Sequence, residues 1–335
     1  MAAKWKISLL AIMIVAIVAI LIALEGGKLS SLVNFILSPP SDLSIGTIIA
    51  ISLILGMLHG ATPDEHTWPI TFSYAVGSYS TRKGMKAGFV FSSGFTIQRA
   101  ILTTLGFIGL AAIYKTYNLD GPVYVIVGIV MAIAGAYILN KRKYLHLPLD
   151  IIFKGKKHHS DFAQRMPLHE SEVKEVPVRM AFVHGLIAGW GFGAYASIIT
   201  FILAPQVPGL IYAPLPGLFF GIGTMIMQII FGAMFANIGK RRQLSEEQIK
   251  YIGRKTAGRT LYYGGFLFAI IGALIIFFPV LDNVAISTGL VIPNLDSIGV
   301  ATVLVLGVVG IIGIGNLVLG IREMLKTGGK AKKMD

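Results

Sequence analysis

The chain has no cysteine among its 335 residues, which excludes disulfide frameworks, thiolate metal sites and redox-active thiols together. Any metal it handles must be held by nitrogen and oxygen. Charge is scarce too. Only 13% of residues are charged against 55% hydrophobic, and mean hydropathy is +0.75, which is not the composition of an ordinary soluble enzyme. A phosphate-cradling G-x4-G-K-[ST] loop is missing, because neither Gly155-Lys156 nor Gly329-Lys330 has the required neighbours. ATP is therefore not hydrolysed here through such a loop. These absences leave an all-α polytopic membrane protein.

What is present is a series of apolar runs. Residues 7–24 read as an uncleaved first helix, whereas 29–41, ending near Pro39-Pro40, are too few to cross a bilayer and should lie at its surface. Further runs cover 45–79, 87–114, 123–140, 178–204, 215–238, 261–279 and 299–321, giving eight crossings. The charge distribution tests that count. Nearly all of the 29 Lys and Arg then fall on one face, leaving Lys28 and Lys115 on the other and Arg99 within a helix. So unequal a split is the positive-inside pattern, with both termini cytoplasmic in the cytoplasmic (inner) membrane. The net charge of +13 is thus topological, and no nucleic-acid partner is expected.

The stretch that breaks the apolar pattern is 56–69, GMLHGATPDEHTWP. It places His59, Asp64, Glu65 and His66 where a lipid-embedded helix gains nothing from them, and such groups mark ion or proton pathways. Pro63 offers no N–H and its ring collides with the carbonyl of His59, so the helix should break between the two histidines. On an unbroken helix Asp64 would point about 140° away from His59; unwinding around residues 60–63 lets His59, Asp64 and His66 converge. Two imidazoles and a carboxylate suit nickel, cobalt or zinc better than magnesium or calcium.

An internal repeat accompanies this. Residues 128–139 (GIVMAIAGAYIL) match 265–276 (GFLFAIIGALII), His59-Gly60 matches His184-Gly185, and Phe91, Gly94, Thr96 and Gln98 loosely resemble Phe220, Gly223, Thr224 and Gln228. Units of three crossings sit in the membrane with opposite orientation, and such inverted repeats place substrate between interrupted helices. The expected partner of the first break is 182–195, FVHGLIAGWGFGAY, whose Gly185, Gly189 and Gly193 also read as a packing face. His184 there is a candidate ligand or a hydrogen-bonded interfacial histidine. Thr96, Gln98, Arg99 and Gln228 are candidate path-lining residues. Arg99 is expected to snorkel or pair with Asp64 or Glu65. The loop 141–177, with His158, His159 and His169, reads as a solvated linker or a metal-collecting loop.

The spacing H-x4-D-x-H resembles the second-helix H-x4-D-H motif of the nickel/cobalt transporter family and the related urease-accessory membrane proteins of the lysine-exporter superfamily. His59, Asp64 and His66 match it, with Glu65 inserted before the last histidine. The eight-helix plan with a charged loop after the fourth is similar as well. The resemblance implies secondary transport of Ni(II) or Co(II), with His59, Asp64 and His66 as the selectivity site. An acidic fifth-helix signature of the LGFDTATE type is absent; His184-Gly185-Leu186 stands there, closer to the H-G-L pattern of the urease-accessory group.

The sequence therefore predicts five segments: an N-terminal helix with a surface segment (1–44), repeat unit one (45–140), a cytoplasmic loop (141–177), repeat unit two (178–280), and a final helix with a basic tail (281–335). The expected activity is transport, not catalysis, with the bilayer and a divalent metal ion as partners and no prosthetic group. Two alternatives stay open. One is an exporter of a small organic or sulfur-containing anion that uses Arg99; the other is a metal-dependent intramembrane enzyme, for which His146, His158, His159, His169 and His184 are too few at the needed spacing.

Overall fold

The computed structural model describes residues 30–117, 119–139, 176–238 and 244–331. The first apolar run, nearly all of the 141–177 loop with its histidines, and the last residues of the tail lie outside them.

After a short surface helix, α1 (Ser30–Leu37), the chain enters α2 (Ile45–Ala61), whose first turn is capped by the Ser44 hydroxyl accepting from the Thr47 amide at 3.2 Å. Pro63 follows at once, and the helix stops. It resumes as α3 (Trp68–Ser78), with Pro69 in the first turn, where its missing N–H costs nothing. Tyr79, at φ +46°, ends α3 in the left-handed region.

Then come α4 (Thr81–Phe107) and α5 (Asp120–Ile138). The second broken helix follows as α6 (Val178–Ala188) and α7 (Ala194–Ser197). A π-helical stretch and a 3₁₀ turn carry α7 on to Gln206. The chain continues through α8 (Leu215–Ile238) and α9 (Glu246–Phe277), the latter opened by a Ser245/Gln248 capping box. A small hairpin of β1 (Ile286–Ser287) and β2 (Ser297–Ile298) leads into α10 (Val300–Val305), a π-helical segment and α11 (Gly315–Ala331).

Among the described residues, four stretches are long and apolar enough to cross a bilayer: Asp120–Ile138, Leu210–Ile238, Glu246–Phe277 and Val300–Leu325. The chain is a multi-pass helical membrane protein.

Burying one helix against another in lipid gains little from the hydrophobic effect, so close packing must hold the helices together, and small residues permit it. Glycines fill that role. In α4 and α8, which run antiparallel, Gly88 lies on the Gln228 carbonyl and Gly217 on the Arg99 carbonyl, with no room for a Cβ. The antiparallel pair α5 and α9 meets at Gly128 and Gly265. Alongside, α2 lies parallel to α8, with Gly56 on Phe220 and Gly223 on Leu53 and Met57. The parallel contact of α6 with α4 puts Gly185 on Phe91 and Gly94 on Phe182 and Leu186. Both breaks are thereby pressed against the α4–α8 pair.

The two ends of the bundle differ in charge. Lys83, Lys250 and Arg254 gather around the Tyr79 ring where α4 and α9 begin, at 5.4, 5.5 and 5.7 Å. At the far end of α9 stand Asp282 and Asp296, together with Asp120 at the start of the antiparallel α5.

Candidate metal site at the first helix break

The break consists of residues 62–67, slightly later than the 60–63 unwinding expected: His59 stays within the last turn of α2, and Asp64, Glu65 and His66 occupy the irregular segment. Asp64 organises it. Its Oδ1 accepts from the amides of His66 (3.1 Å) and Thr67 (2.8 Å), so the carboxylate braces the turn that leads into α3. Its Oδ2 faces His59 Nδ1 at 3.8 Å.

Glu65 and His66 form a tighter unit. His66 Nδ1 stands 2.9 Å from Glu65 Oε1, and the Tyr124 hydroxyl donates to that same oxygen at 3.1 Å. Donation of one ring nitrogen to a carboxylate is the arrangement that fixes the tautomer of a metal-binding histidine and raises its basicity. His66 Nε2 is buried with no hydrogen-bond partner. The ring stacks on Tyr124 at 5.0 Å and meets Phe268 edge-on at 6.3 Å, and the backbone of Gly191 in the second break lies against it. A Cβ at Gly191 would lie 2.6 Å from His66 Cε1.

Asp64, Glu65 and His66 each present a ligand atom within 4.8 Å of the others, and all three are buried. A first-row ion about 2.1 Å from each donor would hold cis donors roughly 3.0 Å apart and trans donors roughly 4.2 Å apart. From separations of at most 4.8 Å, a trans pair closes by up to about 0.6 Å and a cis pair by up to about 1.8 Å.

His59 is not part of this cluster. Its ring sits among Phe220, Phe95 and Tyr195, at 5.2, 5.5 and 5.6 Å, with Nε2 buried and without a hydrogen-bond partner. The expected convergence of His59, Asp64 and His66 is thus partial: Asp64 lies between the two imidazoles, and Glu65 takes the place beside His66 expected for His59.

The other expected residues fall into two groups. Arg99 does not snorkel; it is 3% exposed. Its guanidinium lies over Phe95 at 4.6 Å and Phe220 at 5.6 Å and donates to the Gly191 carbonyl at 3.0 Å. Gln228 does the corresponding work at the first break, where its Nε2 donates to the Gly60 carbonyl at 3.2 Å. Both side chains thus satisfy carbonyls at the breaks, which lack intrahelical partners. Gln98 faces Gly189, and its buried amide has no hydrogen-bond partner.

The second group lies apart from the cluster. His184 bonds within α6 and across to α3, with Nδ1 2.8 Å from the Met180 carbonyl and 3.1 Å from the Tyr74 hydroxyl. The Thr96 hydroxyl donates back to Ser92 within its own helix at 2.7 Å.

Sequence reasoning missed Tyr124, Tyr195 and Gly191. Tyr195 and Gly191 lie in the 182–195 stretch singled out as the partner of the first break, so their segment was identifiable though their roles were not. Tyr124, in an otherwise apolar run, gave only the signal of one hydroxyl at membrane depth.

No family model matches the chain, and no curated protein and no solved structure matches it either.

Proposed function

We propose that the protein is a secondary transporter of a divalent transition-metal ion, nickel or cobalt, which binds at the first helix break. The observation that carries this reading is the buried Asp64–Glu65–His66 cluster, with ligand atoms mutually within 4.8 Å and His66 Nε2 lacking a hydrogen-bond partner. A nitrogen–oxygen shell without thiolate suits these ions and permits release. Asp120, Asp282 and Asp296 at one end of the bundle favour cation entry. The bound ion is the cargo, and no catalytic step is assigned.

The transport mechanism in this reading follows from two broken helices in inverted three-helix units. Close contacts recur at one constant sequence offset: Leu53 corresponds to Phe182, Gly56 to Gly185, Met57 to Leu186, Gly88 to Gly217, Phe91 to Phe220 and Gly94 to Gly223. The same offset relates Arg99 to Gln228, the two residues that brace the breaks. It pairs Gly56 with Gly185, not His59 with His184, which accounts for His184 standing apart. Rocking of one unit (45–140) against the other (178–280) would open the site to each side in turn. Eight crossings, with both termini in the cytoplasm and the basic end of α4 and α9 facing it, complete the arrangement in the cytoplasmic membrane.

The test is uptake and release of radiolabelled nickel and cobalt by proteoliposomes, with and without a pH gradient. Flux in the wild type that is lost in His66→Ala supports the reading, and flux of neither ion contradicts it.

A further inference from the structure

The hairpin between α9 and α10 belongs to neither broken helix, yet its tip reaches both. The tip is a turn closed by the Leu295 amide donating to the Ile292 carbonyl at 3.1 Å, and Asn294 adopts φ +68° within it. The Asn294 side-chain amide donates to the Thr62 hydroxyl at 3.1 Å. Thr62 is the residue at which α2 ends, and it is fully buried. One residue earlier, the Pro293 carbonyl accepts from the Tyr195 hydroxyl at 3.2 Å. Tyr195 lies in α7, just beyond the second break, and its ring packs edge-on against His59. The hairpin stem is only two residues long on each strand, and the tip residue Ile292 is 2% exposed although Val291 beside it is 53% exposed.

We propose that this hairpin is the gate over the binding site at the acidic end of the bundle, latched by Asn294 on Thr62 and by Tyr195 on Pro293. The inference deepens the transport reading and rests on it for the identity of what passes. Several features make the hairpin suited to the role. It touches the residue that ends α2 at the first break and the first turn of α7 after the second, so any rocking of the two units must stretch or break at least one latch. Each latch is a single neutral hydrogen bond, which contributes little net stability and can be broken repeatedly. The stem, by contrast, holds the tip in one shape: the Thr288 amide donates to the Asp296 carbonyl at 2.9 Å, so the tip moves as a unit. A segment that bonds both halves from outside them is the means by which opening at one break is felt at the other, which alternating access requires.

Because the chain has no native cysteine, Ile292→Cys gives a single reporter on the buried side of the hairpin tip. Its rate of modification by a charged, membrane-impermeant thiol reagent is measured on purified protein in nanodiscs, where both faces are open to solvent. We expect slow labelling in Ile292→Cys alone, and labelling roughly fivefold faster when Asn294→Ala or Tyr195→Phe is added, as the loss of one such hydrogen bond implies. Equal rates in all three proteins, whether fast or slow, would overturn the proposal.

The two latch variants alter different elements, so misfolding of one leaves the other informative. Labelling without metal tests the gate by itself. Cobalt added with a magnesium control, in wild-type and His66→Ala backgrounds, tests the cargo: a cobalt-dependent change in rate that needs His66 supports both readings. A latch effect with no response to cobalt keeps the gate and removes the metal from the site.

Discussion

Gly191 offers the sharpest perturbation of the site, because substituting it alters the geometry around His66 without replacing any proposed ligand. A Cβ there would lie 2.6, 2.7 and 2.9 Å from Cε1, Nδ1 and Nε2 of the imidazole. Ordinary carbon contacts begin near 3.5 Å, so Gly191→Ala must push the ring about 1 Å. The His66–Glu65 bond, 2.9 Å long, would then pass beyond hydrogen-bond range. Loss of a hydrogen bond to a charged group costs about 1.5–3 kcal/mol, which corresponds to roughly 10- to 150-fold in the dissociation constant for cobalt or nickel.

Gly193→Ala, two residues on, is the matched control, since nothing lies within 4 Å of its Cβ. Gly191 has no positive φ, so alanine introduces no backbone strain. The assay is isothermal titration of purified protein with cobalt, alongside the visible d–d spectrum of the bound ion, with thermal unfolding to show that both variants remain folded. Equal affinity and an unchanged spectrum in a folded Gly191→Ala protein would refute the packing of the second break onto a metal ligand at His66, as proposed.

Other outcomes follow from the same geometry. Tyr124→Phe removes the hydroxyl that donates to Glu65 and should weaken cobalt binding about 3- to 10-fold, measured in the same titration. His59, which approaches only Asp64 and at 3.8 Å, should matter less than His66: His59→Ala weakens binding and His66→Ala abolishes it, so the reverse ranking would return the site to the triad first read from the motif. Because imidazole and carboxylate ligands must shed protons to bind metal, affinity should fall as pH is lowered, and titration in buffers of different ionisation enthalpy should show proton release. Gly56→Ala and Gly185→Ala should each destabilise the protein by about 1–3 kcal/mol, while Gly310→Ala, with open space around it, should be silent in thermal unfolding.

Much of this site is legible in the sequence because it is local. Pro63 cannot donate within a helix, so a break after His59 follows from one residue. The two carboxylates and His66 are adjacent, so the break brings them together without help from the rest of the chain. The four-residue spacing of Gly185, Gly189 and Gly193 likewise marks a close helix contact, and Gly185 makes one.

What the sequence conceals depends on three-dimensional register. His59 and His184, matched in the sequence, have different surroundings: His59 sits among Phe95, Tyr195 and Phe220, and His184 bonds to Met180 and Tyr74. Gly56 packs on Phe220 and Gly185 on Phe91. Arg99 and Gln228 are buried donors to carbonyls in the other half of the chain, pairings no local pattern encodes. The hairpin tip at Pro293 and Asn294 reads as an ordinary turn until Thr62 and Tyr195 are seen beneath it.

X-ray absorption at the nickel edge, on protein loaded with one equivalent and stripped of loose ion, addresses the claim that the first helix break is a metal site. A shell of nitrogen and oxygen with the outer-sphere scattering of an imidazole, present in the wild type and absent in His66→Ala, is the predicted result. A spectrum of fully hydrated ion, or one the His66→Ala variant reproduces, would contradict it.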